Sequence, residues 1–187
     1  MILGITGTIG AGKGAAVDYL VKEKGFAHYS VRDFLIEELQ QQGLPVNRDT
    51  MREVGNALRA EHQPSYIIET LYRRAKDAGH DALIESVRAL GEAEFLKAKS
   101  AKLLAIDADR HLRFARVTAR GSATDDIDLA TFVEHEEKEL ASADPHGQNL
   151  RGVMAMADIT VQNDGSLEEL HAAVAHALAL GSSAEAS

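Results

Sequence analysis

A group of glycines followed by a lysine, near the start of the chain, forms the pattern with the clearest chemistry. Gly7, Gly12 and Lys13 have the G-x-x-x-x-G-K spacing of a phosphate-binding loop. Glycines let the backbone curl so that successive N–H groups converge on phosphate oxygens, and a following helix adds its positive N-terminal end. An ordinary glycine turn would not need a lysine at this position. The loop residues expected to contact nucleotide phosphates are Gly7, Thr8, Ile9, Gly10, Ala11, Gly12, Lys13, Gly14 and Ala15.

The residue after the lysine departs from the usual pattern. That position commonly carries a serine or threonine whose hydroxyl binds Mg²⁺, but here it is Gly14, and Ala15 follows. Mg²⁺ keeps several of its waters in such sites. We therefore expect the ion to be held through water rather than by a hydroxyl of the loop.

The composition limits the classes of function. A chain of 187 residues with 45% hydrophobic residues can form one domain with a complete core. The net charge of −9 argues against a broad nucleic-acid-binding surface, and the lack of cysteine excludes disulfides and thiolate metal sites. Met1 leads directly into an apolar segment, and no run approaches the length of a membrane span. We expect a cytoplasmic protein without a membrane partner.

Five short apolar segments alternate along the chain with segments of helical periodicity. This alternation predicts an α/β fold with a parallel sheet covered by helices, in one domain over 1–180 with a flexible tail over 181–187. Ligands of such sheets bind beyond the carboxyl ends of the strands. The segments expected at that edge are 7–14, 30–33, 85–88, 107–110 and 162–165.

Several arginines could add the positive charge that phosphoryl transfer requires. Arg88 follows the third predicted strand, and Arg59 lies on a predicted helix. Arg113, Arg116 and Arg120 have the spacing of one helix face, which a solvated surface would also explain. Because these three lead into a polar loop in an acidic chain, we favour a lid in which Arg116 and Arg120 face phosphates.

Two carboxylates also follow predicted strands. Glu85 ends a buried strand, where we expect magnesium or its water shell to satisfy the charge; the alternative is a salt bridge to Arg88 or Lys13. Asp33 could orient or deprotonate an acceptor hydroxyl, or it could cap a helix, as Ser30 could. The histidines, His28 among them, show no metal-like pairing, and we assign them no role.

The motifs resemble a known group of enzymes. Residues 2–13 resemble the opening of dephospho-CoA kinases, and 157–170 resemble their final strand and turn. The middle of the chain is closer to archaeal-type predicted nucleotide kinases described as dephospho-CoA kinase-like. The segments that carry this second likeness are 31–38, 57–59, 84–88 and 132–139.

This resemblance implies a P-loop NTPase fold of the nucleoside-monophosphate-kinase type, with a five-stranded parallel core. It implies a helical acceptor-binding insert at about 31–80 and a lid at about 113–128. The loop would bind ATP, Arg88 would bind acceptor or transferred phosphate, and Arg116 and Arg120 would close over the phosphates. The adenine would lie near Asn163, Asp164 and Gly165, and the acceptor near Ser30, Arg32, Asp33, Arg59 and Arg88.

Three functions remain open at this point. The first is ATP- and Mg²⁺-dependent phosphorylation of a small nucleotide-like acceptor, with dephospho-CoA as the leading example. Its ribose hydroxyl would call for a carboxylate such as Asp33. The second is a nucleoside or deoxynucleoside monophosphate kinase, which needs arginine clamps such as Arg59 and Arg88. The third is an ATP-binding switch or assembly factor with slow ATPase activity. The residues predicted to act in catalysis are Lys13, Asp33, Arg88, Arg116 and Arg120.

Overall fold

A computed structural model describes residues 1–120, 128–140 and 147–183 of the chain. Within these ranges, five parallel strands form one sheet in the order β2-β3-β1-β4-β5. The strands are β1 (Ile2–Gly7), β2 (Ala27–Ser30), β3 (Ala82–Glu85), β4 (Lys102–Asp107) and β5 (Ile159–Gln162). The helices are α1 (Lys13–Lys24), α2 (Val31–Gln41), α3 (Arg48–Glu61), α4 (Tyr66–Ala78), α5 (Leu90–Ala98), α6 (Arg110–Arg120), α7 (Leu129–Leu140), α8 (Leu150–Ala155) and α9 (Leu167–Ser183).

The hydrophobic core has two parts, one on each face of the sheet. Leu3 and Ile5 of β1 contribute to the part beneath α1 and α9. Ile84 of β3 and Leu103 of β4 contribute to the other part, which is covered mainly by α2 to α5. Because helices cover both faces, the central strands are apolar almost throughout, as parallel strands usually are. The predicted fold, a five-stranded parallel P-loop NTPase sheet with helices on both faces, is confirmed.

Several element boundaries differ from the sequence prediction. Helix α2 begins at Val31, and of the two predicted caps it is Ser30 that serves, because its hydroxyl accepts a hydrogen bond from the Asp33 N–H at 3.1 Å. Helix α8 was not predicted; it has only six residues and is capped by Asn149. Helix α9 runs to Ser183, past the predicted end near residue 180.

The predicted lid at about 113–128 is only partly described. Its first part forms the end of α6, whereas residues 121–127 lie outside the described part of the chain. The predicted acceptor-binding insert corresponds to α2, α3 and α4 between β2 and β3. Across residues 1–120, 128–140 and 147–183, no helix is long and apolar enough to span a bilayer.

Candidate active site

The glycine-rich loop joins β1 to α1 at the carboxyl edge of the sheet. Gly7, Gly10 and Gly12 have φ angles of +142°, +77° and +97°, a region in which other residues are strained. A Cβ atom on Gly7 would lie 2.0 Å from the carbonyl oxygen of Ile106, and one on Gly10 would lie 2.5 Å from that of Arg113. These glycines are therefore required by both backbone conformation and space.

The N-terminus of α1 is open to an anion. Among the described residues, no side chain caps it, and its first turn contains no acidic residue. The helix dipole and the first N–H groups thus remain available for a negatively charged ligand. A Cβ atom on Gly14 would have no neighbour within 4 Å, so there is open space beside the place where related loops present a hydroxyl.

Lys13 lies across this loop. Its Nζ donates hydrogen bonds to the carbonyl oxygens of Gly7 at 2.8 Å and Thr8 at 2.7 Å. Burial lowers the pKa of Lys13 from 10.5 to about 8, and the charge of Arg88 acts in the same direction. Glu139 and Glu85 oppose this change. The ammonium group therefore lies in a half-buried position where both cations and carboxylates act on its charge.

Side chains at the ends of β4 and β5 hold the loop in place. The hydroxyl of Thr8 donates to Asp107 at 2.6 Å, and Asn163 Nδ2 donates to the carbonyl of Ala11 at 2.8 Å. Asn163 is buried, so this contact is sheltered from water. The predicted adenine-binding residue Asn163 therefore contacts the phosphate-binding loop itself.

The rest of the predicted adenine turn is tied to α6. Asp164 accepts hydrogen bonds from the N–H of Asp109 at 2.7 Å and from Gln162 at 2.9 Å. The Asp109 hydrogen bond is the main cause that lowers the pKa of the Asp164 carboxyl. Gly165 follows at the turn that leads into α9. An adenine contact of these residues stays a prediction.

The arginine row on α6 divides into different environments. Arg113 is buried; it donates to the carbonyl of Ile9 at 3.2 Å and forms an ion pair with Glu136 of α7. Arg116 is partly exposed and donates to the carbonyl of Asn163 at 2.9 Å, whereas Arg120 is exposed at the end of the helix. Arg113 thus supports the phosphate-binding loop through its hydrogen bond to Ile9. A lid role for Arg116 and Arg120 stays a prediction.

Arg88 is held by several groups just after β3. Its N–H donates to Glu92 at 2.9 Å, and its carbonyl accepts from the N–H of Asn149 at 2.8 Å. Its guanidinium donates to Gln148 at 3.3 Å and forms an ion pair with Glu139 of α7 at 2.7 Å. The backbone and the side chain of Arg88 are therefore both held in place. The guanidinium lies close enough to Lys13 for its charge to lower the pKa of that lysine.

Glu139 is the main site residue that sequence reasoning missed. Burial opposes its ionisation, but Arg88, and after it Lys13 and Arg48, hold the pKa of its carboxyl below the usual value. A signal was present in the sequence: Phe132, Glu136 and Glu139 have the i, i+4, i+7 spacing of one helix face. Two carboxylates on the same face as a buried phenylalanine indicate partners inside the fold.

Glu85 is paired with a residue to which the sequence prediction gave no role. Its Oε2 lies 3.0 Å from His28 Nε2, and this hydrogen bond is the main cause that lowers the pKa of the Glu85 carboxyl. The predicted alternative, a salt bridge to Arg88 or Lys13, is not what the structure has. In the sheet, Ser30 pairs with Glu85, which brings His28, two residues earlier, to the same face. Binding of magnesium by Glu85 stays a prediction.

The predicted acceptor-binding residues lie in two different settings. Ser30 caps α2, while Arg32 and Asp33 are exposed in its first turn, after the edge strand β2. Arg59 is only 2% exposed, and it contacts Glu92 through Nε at 2.8 Å and Nη2 at 2.7 Å. Arg59 therefore has a buried partner where an acceptor phosphate was expected, and its contact with an acceptor stays a prediction.

Comparison with known proteins gives the family. The family described as AAA domain matches residues 6–133. A UPF0200 protein of Methanococcus maripaludis strain C7 is 32% identical over 173 residues, covering 90% of both chains. The chain belongs to these families. A UPF0200 protein of Hyperthermus butylicus is 29% identical over 174 residues, with 92% of this chain and 90% of the relative covered.

Solved structures support the fold at low sequence identity. The protein TT1252 from Thermus thermophilus matches with a TM-score of 0.65 and 19% identity, covering 96% of each chain. Shikimate kinase from Acinetobacter baumannii in complex with shikimate matches with a TM-score of 0.63 and 15% identity, covering 95% of this chain and 92% of its own. The chain thus has a P-loop kinase-like nucleotide-binding fold. A narrower likeness to dephospho-CoA kinases does not follow from these comparisons.

Proposed function

We propose that the chain transfers the γ-phosphoryl group of ATP to a small nucleotide-like acceptor, with dephospho-CoA as the leading example. The observation that carries the proposal is the pair of cations Lys13 and Arg88. They come from the loops after neighbouring strands β1 and β3, and each lies in the electrostatic field of the other. Two cations held together beside an uncapped helix N-terminus match the charge of a migrating phosphoryl group.

In this proposal the residues have separate tasks. The N–H groups of the loop and of the first turn of α1 bind the nucleotide phosphates, and Lys13 binds their outer oxygens. Arg88 orients the transferred group, and Arg116 and Arg120 shield it from water. Asn163, Asp164 and Gly165 border the base. The kinases among the solved structures of the same fold, a sugar kinase and shikimate kinases, support phosphoryl transfer to a small molecule.

The donor groups fit a magnesium ion held through water. Glu85 offers an ionised carboxylate after β3, and the space beside Gly14 is open. Glu85 would hold the ion through water, and the bound ion would supply positive charge that offsets the charge developing during transfer. The acidic net charge of −9 supports a reaction that does not involve nucleic acid, and we place that reaction in the cytoplasm.

The burial of Arg59 favours a hydroxyl acceptor over a monophosphate. A monophosphate acceptor is a second anion and needs its own cationic clamp. Arg59 was the predicted clamp on the helical insert, but Glu92 already neutralises it in the core. A hydroxyl acceptor needs a hydrogen-bonding carboxylate instead.

A coupled assay of ADP formation would test the proposal. Wild-type protein with ATP and Mg²⁺ is given dephospho-CoA or each common nucleoside and deoxynucleoside monophosphate. We expect dephospho-CoA to raise ATP turnover well above the basal rate, and Lys13→Met to abolish this response while Lys22→Met, on the exposed surface of α1, keeps it. If no acceptor raised the turnover of wild-type protein, the ATP-binding switch would replace the kinase. Preference for a monophosphate would identify the second kinase class.

A further inference from the structure

A carboxylate from outside the sheet pairs with one of the two cations of the candidate site. Glu139 is on α7, and its ion pair with Arg88 has an N–O distance of 2.7 Å. Lys13 and Arg48 also act on its charge. The side chains of Arg88 and Glu139 retain exposures of 23% and 20%, although the Oε2 atom of Glu139 that pairs with Arg88 is itself buried.

The charge of this cluster limits which acceptor it can take. Lys13 and Arg88 carry two positive charges, and the Glu139 carboxylate offsets part of that charge. The remaining charge suits the phosphoryl group that is transferred from ATP. A monophosphate acceptor would bring a second anion against the Glu139 carboxylate, and like charges at close range are unfavourable. A hydroxyl group would instead donate a hydrogen bond to that carboxylate.

The other candidate carboxylate is less well placed for this role. Asp33 is exposed in the first turn of α2, where its N–H is used by the Ser30 cap. The charge of Glu139 acts on Lys13, and Glu139 pairs directly with Arg88, whereas no contact between Asp33 and either cation is found among the described residues. A base must lie close to the reacting group, and the cations that hold the phosphoryl group mark that position.

We propose that Glu139 is a catalytic residue that binds the acceptor hydroxyl and thereby selects hydroxyl acceptors over monophosphates. This inference rests on the proposed function and names its acceptor class. The acceptor oxygen attacks the γ-phosphorus and forms a new O–P bond. The bond from the γ-phosphorus to its bridging oxygen breaks, and ADP leaves with the electron pair. The hydroxyl proton passes to the Glu139 carboxylate and from there to solvent.

The test compares Glu139→Gln with Glu134→Gln. Glu134 lies on the same helix, is exposed and pairs only with Lys138 in the contacts that the structure describes, so its variant controls for a loss of charge on α7. We expect Glu139→Gln to lower kcat for a hydroxyl acceptor about 10²- to 10⁴-fold, the range that general bases contribute. Its Kd for ATP should change little, and its KM for monophosphates should fall. Glu134→Gln should match wild type in all three.

The acceptor preference separates catalysis from simple support of Arg88. A residue that only positioned Arg88 would change turnover with both acceptor classes equally, whereas our proposal requires the ratio between them to change. Glu139→Asp keeps the charge on a shorter side chain and should show intermediate turnover, so it serves if Glu139→Gln fails to fold. Unchanged or increased turnover of Glu139→Gln with a hydroxyl acceptor would overturn the inference, as would loss of activity in Asp33→Asn alone. If wild-type protein phosphorylates no acceptor, the proposed function fails instead.

Discussion

The Arg59–Glu92 and Arg88–Glu139 ion pairs are linked through the segment from residue 88 to 92, yet water reaches them to different degrees. Arg59 and Glu92 have side-chain exposures of 2% and 0%, and Glu92 also accepts the N–H groups of Arg88 and Ala89. Arg88 and Glu139 have exposures of 23% and 20%. The first pair is sealed and fully hydrogen-bonded, whereas the second is open in the sense that part of each side chain reaches solvent.

This difference assigns different tasks to two similar contacts. A sealed pair cannot release its arginine without exposing an unpaired buried charge, which is costly. It serves instead to join α3 to the segment that carries Arg88. The open pair can give up one ionic contact and gain another from a phosphate at little net cost. We therefore expect substitutions in the sealed pair to affect stability first and substitutions in the open pair to affect turnover first.

The largest effect on stability should follow from breaking the sealed pair. Arg59→Met keeps most of the apolar stem but leaves Glu92 buried without its cation, so the free energy of unfolding should fall by about 3–5 kcal/mol. Chemical denaturation would measure this loss. Arg52→Met on the same helix removes an exposed pair with Asp49 and should cost at most about 1 kcal/mol. Equal losses in the two variants would remove the distinction between sealed and open pairs.

The open pair should show the reverse pattern. Arg88→Met removes a cation from the transferred phosphoryl group, so kcat should fall about 10²- to 10³-fold. The free energy of unfolding should fall by less than in Arg59→Met, because Glu139 keeps some contact with water. Steady-state kinetics and denaturation of the same preparations would compare the two effects. A variant that loses stability but keeps its kcat would contradict the catalytic role of Arg88.

The pH dependence of ATP binding should report the charges around Lys13. With a pKa of about 8 in the free protein, Lys13 loses its proton as the pH rises through 8, and ATP affinity should fall about tenfold per pH unit above it. Between pH 8 and 10.5 the unfolded chain holds more protons, so this group adds stability as the pH rises. Calorimetric titration at several pH values would measure the ATP affinity.

Variants at Glu139 and Lys13 would test whether the Arg88–Glu139 pair shapes the pH profile of ATP affinity. Glu139 raises the pKa of Lys13, so Glu139→Gln should move the midpoint of the profile to lower pH, whereas Glu134→Gln should leave it in place. Lys13→Met should bind ATP weakly and without this pH dependence. A wild-type profile that stays flat between pH 7 and 9 would contradict the placement of Lys13 at the nucleotide phosphates.

The smallest effect should come from the position after the lysine. Gly14→Ser adds a hydroxyl into open space, where it can act as one weak oxygen ligand. The Mg²⁺ concentration that gives half-maximal turnover should therefore fall about threefold. Gly14→Ala adds the Cβ atom without the oxygen and is the matched control. A Mg²⁺ titration of ATP turnover would compare them, and identical curves would argue against a metal beside this loop.

The sequence predicted the position of the glycine-rich loop between β1 and α1 because its signals are local. The glycines of the loop, the lysine and the following helix lie within a few residues of one another, and their spacing reflects one backbone conformation. The alternation of apolar strands and helices likewise predicted the parallel sheet, which places Gly7, Glu85 and Asp107 at one edge.

The partners of the charged residues outside the loop were not predicted because they depend on pairing between distant elements. From the sequence, Arg59 could bind an acceptor phosphate; only the structure shows that Glu92, 33 residues away, already pairs with it. Glu139 approaches Arg88 only after α7 packs beside the sheet, and the helical spacing on α7 indicates a buried face but not the residue that meets it. Similarly, the contact between His28 and Glu85 follows only from the register of β2 against β3, which the sequence does not reveal. Residue types alone do not reveal which charges are already neutralised.

Transfer of labelled phosphoryl groups in a single turnover tests the central claim most directly. Protein in excess over ATP labelled at the γ-phosphorus is mixed with Mg²⁺ and dephospho-CoA, and the products are separated. Our account predicts that wild-type protein places the label on the acceptor, that Glu134→Gln does so at the same rate, and that Glu139→Gln does so far more slowly. Label found only in inorganic phosphate, at a rate independent of the acceptor, would contradict the account.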